Sequence, residues 1–345
     1  MNIPERPLEV IWDITYSCPL RCSHCYSESG RRPARRLGRE DMLRAAWAIC
    51  AMEPHGVSIA GGEPLSIRDI AEVARIFSSA GISTSLNTSG WSLRAEQVHE
   101  LAETLDRMSI SLDGATAEVH DRIRGRAGSF QRASASLALL DTVVRQRREA
   151  GDDDFCFGID FVAVRSNFHH VELMCTQIAP QYPALEYLAI GAAVPEGLAS
   201  RTGFVRHELP TDEQVALLGH PAHADRLQTL APATVQVSVT DNLALKMHPE
   251  LIEAGVFLPV LQVEPDGEVR AMPAYEGTVG NVLHDSPSDL WRRAVDRWRD
   301  PFVTAVLGPV RTMEEWAGAV RAIDYRFGTP EDRARIDRRP DFTGY

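Results

Sequence analysis

Lysine is nearly absent from this chain: Lys246 is the only one in 345 residues, and arginine supplies every other strong base. A phosphate-cradling P-loop, which needs its lysine, and lysine-based covalent chemistry are therefore set aside. An excess of positive charge is missing too. The balance of −12 argues against nucleic acid or a membrane surface as partner, because phosphate binding is driven by lysine and arginine. No apolar run reaches the roughly 18 residues that could span a bilayer, and the first thirty residues lack the basic-then-apolar layout of a secretory signal. No cysteine follows Cys175, and the six cysteines suggest no disulfide framework, which suits a reducing cytoplasm. Residues 1–8 read as a polar lead-in, too short for a leader-peptide recognition domain.

Hydrophobic residues at 44% and charged ones at 24% describe an ordinary globular protein, long enough for one large domain and a smaller one. Three cysteines stand out. Cys18, Cys22 and Cys25 form a Cys-x3-Cys-x2-Cys loop directly after the apolar strand predicted over Glu9–Thr15. Thiolate-rich loops select iron–sulfur clusters or zinc. A structural zinc site wants four ligands, and no local fourth cysteine completes this one; His24, between two of the cysteines, is badly placed to converge with them. A [4Fe–4S] cluster on three cysteines keeps one iron open for a small molecule. This spacing resembles that of the radical S-adenosylmethionine (SAM) enzymes.

Hydrophobic periodicity then alternates regularly. Helices are predicted over Arg39–Cys50, Ser66–Ala80, Leu93–Thr104, Ser129–Ala150 and Phe168–Ala179, and strands over Gly56–Ala60, Ile82–Thr88, Met108–Leu112, Phe155–Val164 and Leu185–Ala192. Six strand–helix units imply parallel strands with right-handed crossovers, short of the eight that close a barrel. The fold class expected is α/β: an open (β/α)6 barrel over 1–195, with its site at the strand C-terminal ends.

Motifs sit at those ends. Gly61-Gly62-Glu63-Pro64 closes strand two, where glycines permit close backbone approach and a carboxylate can meet an ammonium group. It looks like the segment that binds the SAM amino group in the radical SAM family. Asn87-Thr88-Ser89-Gly90 ends strand three. Ser111-Leu112-Asp113-Gly114 with His120 to Gly125 looks like the Ser-x-Asp-Gly and His-x-x-x-Arg signature of the branch carrying SPASM or twitch C-terminal domains. That resemblance implies that Ser111 touches the ribose or methionyl part of SAM, that Arg124 pairs with its carboxylate, and that Leu188 faces the adenine. His120 reads as a capping or packing residue. Asp160 and Glu186, carboxylates inside apolar strands, are the candidate catalytic or substrate groups.

Beyond Pro195 the rhythm stops. A linker with a helical segment (196–257) contains Thr211–Ala231, broken at Gly219-His220-Pro221, and an alternating strand over Thr234–Thr240. The region 258–300 resembles the start of a SPASM or twitch domain: strands Val260–Val263 and Val269–Met272 around a Pro-Asp-Gly turn, then Gly280-Asn281 and a helix with Trp291. Where that family's hairpin ends in a cluster cysteine, this chain has Ala271-Met272-Pro273. Residues 301–345 read as a helical tail, with Met313–Phe327 packed on the body or on a second subunit and Glu331–Arg339 exposed.

The expectation is a cytoplasmic radical SAM enzyme with one [4Fe–4S] cluster and SAM, reduced by a flavodoxin or ferredoxin. Lacking an auxiliary cluster to accept an electron, it should run a redox-neutral step on a small polar, anionic substrate. Decarboxylation of a sugar acid is foremost, since the layout looks similar to radical SAM glucuronyl decarboxylases. A peptide-modifying maturase is the alternative, and a non-catalytic cluster- or SAM-binding protein the second. The basic stretch Arg31–Arg39 reads as solvated surface, as a grip for an anionic substrate group, or as a landing site for an acidic electron donor.

Overall fold

The computed structural model describes residues 3–152 and 154–345; the first two residues of the expected lead-in lie outside them. Its strands are β1 (Glu9–Asp13), β2 (Gly56–Ala60), β3 (Ser83–Thr88), β4 (Arg107–Ser111), β5 (Cys156–Ala163), β6 (Tyr187–Ala192), β7 (Gln236–Thr240), β8 (Val260–Val263), β9 (Glu268–Arg270) and β10 (Thr278–Asn281). They form one sheet in the order β10-β9-β8-β1-β2-β3-β4-β5-β6-β7. From β8 to β7 every neighbouring pair is parallel.

The strand count therefore exceeds the expected six. The alternating run before Thr240 becomes β7, parallel to β6, and the first arm of the hairpin becomes β8, parallel to β1. The segments expected as linker and separate hairpin thus lend strands to the barrel's own sheet. Their crossover was hidden because it is cut into short helices, Thr202–His207, Asp212–Leu218 and Pro221–Leu230, with the break at Gly219 and His220. The partial barrel stays open between β7 and β8.

Helices cover the outer face. Arg39–Cys50 matches its predicted bounds, with Met42, Ala45, Ala46 and Ile49 on one buried stripe. Besides the short helices Thr202–His207 and Pro249–Glu253, the sequence reading missed Ala117–Arg124, capped by Thr116 and stopped by Gly125 at φ +66°. The helix expected over Phe168–Ala179 is instead a chain of 3-10, α and π turns ending at Gln181. Pro180, which has no N–H to donate, stands in the last of them.

Alternation sets the character of the lumen. Val57, Ile59, Leu86, Met108, Ile110 and Ile159 belong to the apolar core. Their neighbours Ser58, Asn87, Ser109 and Asp160 line internal cavities instead. The barrel interior is thus a polar chamber rather than the stacked apolar layers of a closed barrel. Among the described residues no helix is long and apolar enough to cross a membrane.

Candidate functional site

The cysteine loop is clamped from three directions. Gly62 N donates to Thr15 O at 2.6 Å and Glu63 N to Ser17 O at 2.8 Å. Arg21 N and Ser23 N donate to the last carbonyls of the helix at 117–124, Arg124 O and Ile123 O, at 3.0 and 2.9 Å; Leu198 N reaches Cys25 O at 3.0 Å. The glycine is required, since a Cβ on Gly62 would stand 2.2 Å from Ser17 O. So held, Cys18, Cys22 and Cys25 line one cavity of about 380 Å³ together with Gly61, Gly62, Asn87, Ser111 and Arg124.

Burial, mutual repulsion and the nearby Glu63 push the Cys18 thiol up to about 12, and burial pushes Cys22 to about 11 despite Arg124. Three crowded, buried thiols of this kind are stable as thiolates only around a strong cationic centre. No three His, Cys, Asp or Glu groups among the described residues surround a single ion position. The donor set that lines the cavity, three cysteines with no fourth ligand beside them, fits a cluster that keeps one iron open rather than a four-ligand zinc site. His24 supplies no fourth ligand: its Nε2 lies 3.7 Å from Asp113 Oδ2, and burial lowers it to about 4, leaving it neutral.

Glu63 does not line the cavity. Its Oε1 accepts from Leu65 N at 3.1 Å and Thr88 Oγ1 at 2.5 Å, and its Oε2 accepts from Ser89 N at 3.1 Å and from the Ser89 hydroxyl. The carboxylate therefore pins the turn after β2 to the turn after β3, and only Gly61 and Gly62 of its motif reach the cavity. Asn87 donates to Ser58 Oγ at 3.0 Å. Arg124 also differs from expectation. Its Nε is 2.6 Å from the buried Asp113 and its Nη1 donates to Cys22 Sγ at 3.9 Å, so it is already paired with acid while it faces the cavity. His120 accepts from Asp113 N at 3.0 Å and is a packing residue, as read.

Of the other sequence candidates, Asp160 lines the cavity, with its carboxyl pushed up to about 6 by burial against a hydrogen bond from Ser109. Glu186 does not. It stands at the opposite end of the barrel, just before β6, paired with Arg148. Leu188 is fully buried in the apolar core, because on β6 its neighbours Tyr187 and Ala189 take the lumen side. The arginine stretch is largely committed: Arg35 pairs with Asp266 and Glu331, Arg39 with Glu72, and Arg32 lies over the Tyr16 ring.

The tail is the largest departure. Arg335 and Arg339, expected in solvent, pair with buried Glu28 of the cysteine loop, and Arg335 also with Glu276, which Arg270 holds at 2.9 Å. Tyr345 OH lies 2.6 Å from Ser23 Oγ. Sequence reasoning also missed Asp113, though it sits inside the Ser-x-Asp-Gly motif; Glu196, in a Pro-Glu-Gly turn; and Gln262, which carries no local signal at all.

The radical SAM superfamily model matches residues 12–143. The AdoMet-dependent heme synthase of Methanosarcina barkeri is 33% identical over 48% of this chain, a match spanning only 45% of that protein. The mycofactocin maturase MftC of Mycolicibacterium smegmatis is 35% identical over 95% of this chain and 81% of its own length. The PqqA peptide cyclase of Methylocella silvestris is 32% identical over 84% of this chain and 76% of its own. Among solved structures, Streptococcus suis SuiB bound to S-adenosylmethionine superposes with a TM-score of 0.65 at 18% identity, over 87% of this chain and 67% of that one, a likeness of fold.

Proposed function

The chain belongs to the radical SAM superfamily, and on that footing we propose that it is a maturase that modifies a peptide by a redox-neutral step. The observation that carries the peptide is the near full-length similarity to a maturase, with a peptide cyclase close behind. Neither relative supports the sugar-acid decarboxylase expected from the layout. The redox-neutral step rests on the missing cysteines after Cys175, which leave the hairpin end Ala271-Met272-Pro273 without a thiolate for a second cluster.

A [4Fe–4S] cluster, reduced by a flavodoxin or ferredoxin, would supply reductive cleavage of SAM to methionine and a 5′-deoxyadenosyl radical able to take a hydrogen atom from substrate. A redox-neutral outcome needs the substrate radical to regain one electron, from the same donor, and a proton. The chain's own residues do the rest. Cys18, Cys22 and Cys25 would hold the cluster, and Gly61, Gly62, Asn87, Ser111 and Arg124, which line the same cavity, would bind SAM beside it. Asp160 lies deeper in the polar lumen, placed to exchange a proton with substrate.

Anaerobically reconstituted protein with SAM and dithionite should form 5′-deoxyadenosine faster when the short peptide encoded beside its gene is added, and that peptide should change mass. Stimulation by glucuronate, with every peptide tried left unaltered, would sink the reading.

A further inference from the structure

Two acceptors on the cavity wall are left unused by the fold. Gln262, on β8, is 2% exposed; its Nε2 donates to Asp13 Oδ2 at 2.7 Å, but its Oε1 has no hydrogen-bond partner. A buried amide oxygen without a partner destabilises the fold unless a ligand fills it. Glu196 lines the same cavity, and among the described residues its carboxyl takes part in no hydrogen bond or ion pair. Its backbone is fixed: Leu198 N donates to Cys25 O at 3.0 Å, and a Cβ on Gly197, at φ +50°, would stand 2.1 Å from Tyr26 O.

Gln262 is held by Asp13 through its hydrogen bond, and the Asp13 carboxyl also acts electrostatically on Glu196. Burial, eased by Arg270 and reinforced by Asp13, pushes the Glu196 carboxyl up to about 8, so near neutrality it both donates and accepts. Charge on this wall is otherwise spoken for. Arg270 is engaged by Glu264 and Glu276, and Arg124 by Asp113. Glu196 follows β6 and Gln262 lies on β8, on either side of the barrel opening, away from the β2, β3 and β4 ends that carry the expected SAM contacts.

We propose that Glu196 and Gln262 together hold the substrate, by bonding to a neutral or cationic N–H donor on it, the amide or amine of a peptide residue. This rests on the peptide reading above and names what that site takes. An anionic group, expected from the arginine stretch, would meet here a carboxyl and an amide oxygen, with no cation lacking an acid partner among the described cavity residues.

The test titrates the cluster-loaded full chain with synthetic peptides copying the short reading frames beside its gene, and in parallel with glucuronate, in wild type, Glu196→Ala, Glu196→Gln and Gln262→Leu. The peptide concentration giving half-maximal 5′-deoxyadenosine formation should rise roughly tenfold or more in Glu196→Ala and Gln262→Leu, and less in Glu196→Gln, with iron content unaltered and the maximal rate less affected. An unchanged half-maximal concentration in both variants overturns the pair and leaves the peptide function standing. A response to glucuronate alone overturns both. Glu196→Ala should also melt no lower than wild type, since the fold makes no use of that carboxyl; a clear fall overturns its assignment.

Discussion

Against the cysteine loop, the β2 side and the C-terminal side use different chemistry. On the β2 side the loop is held backbone to backbone, Gly62 N to Thr15 O and Glu63 N to Ser17 O. On the other side it is held by buried charge: Arg335 and Arg339 close on Glu28, and Arg335 links through Glu276 to Arg270 and Glu264. Backbone contact at such range demands glycine at a fixed place, so it leaves a short motif. An ion pair needs only two side chains that meet, and these meet across some three hundred residues. Where the SPASM-type hairpin is expected to carry a cluster thiolate, this chain has apolar residues and, beside them, this network. Buried pairs are weak evidence of stability by themselves; their attested use is to fix one arrangement over others.

The sharpest break of the comparison is removal of the cluster ligands. Cys18/Cys22/Cys25→Ala should take iron from about four per chain to near zero and abolish 5′-deoxyadenosine formation. If about half the iron survived, the C-terminal side would hold a cluster through ligands other than cysteine, and the contrast would collapse.

Next in size is Arg335→Met. It takes one of two cationic partners from each of Glu28 and Glu276, both buried, leaving them Arg339 and Arg270, and should cost about 2–3 kcal/mol in denaturant unfolding. Arg44→Ala, which loses only an exposed pair with Asp41, should cost at most about 1 kcal/mol. Equal losses would mean that the tail rests on the loop without holding it.

The same contrast explains what the sequence could and could not tell. Most β1–β6 boundaries were read to within a residue or two, because a polar lumen and an apolar outer face impose strict alternation. The cysteines and Gly61-Gly62, which share one cavity, stand out in the sequence because their signal lies in spacing. Glu186 misled because an alternating strand does not say which end of the barrel a carboxylate occupies. Leu188 misled by one register position, which moves a side chain from lumen to core. Gln262 and the arginines of the tail had no local signature, since their partners are distant in sequence.

A smaller test lies within the β2 side. Glu63 accepts four hydrogen bonds from two turns, so Glu63→Ala should cost about 1–3 kcal/mol of stability. Because the carboxylate holds Gly61, Gly62 and Ser89 in place without entering the cavity, SAM affinity measured by calorimetry should weaken as well, and Glu63→Gln should recover part of both. A variant with full SAM affinity would show that the two turns keep their positions unaided.

The smallest effect concerns pH, and it belongs to the C-terminal side. Asp324, buried against the Glu276 carboxylate, is pushed up to about 7, and Glu196 to about 8. A carboxyl raised in the folded state binds its proton more tightly there than in the unfolded chain, so folding is favoured at low pH and the advantage is lost as pH climbs through the folded value. Below about 6.5 the buried histidines oppose this, since His24 and His120, lowered to about 4, must stay neutral while the unfolded chain takes up protons. Between about 7.5 and 8.5, where the unfolded histidines have given up most of their protons, the raised carboxyls dominate and stability should fall with rising pH, by at most about 1.4 kcal/mol per group per pH unit. Glu196→Gln should flatten that slope without removing it, because Asp324 still titrates. A slope unchanged by the substitution would mean that water entering the cavity already keeps Glu196 ionised, and that it meets the substrate as a carboxylate.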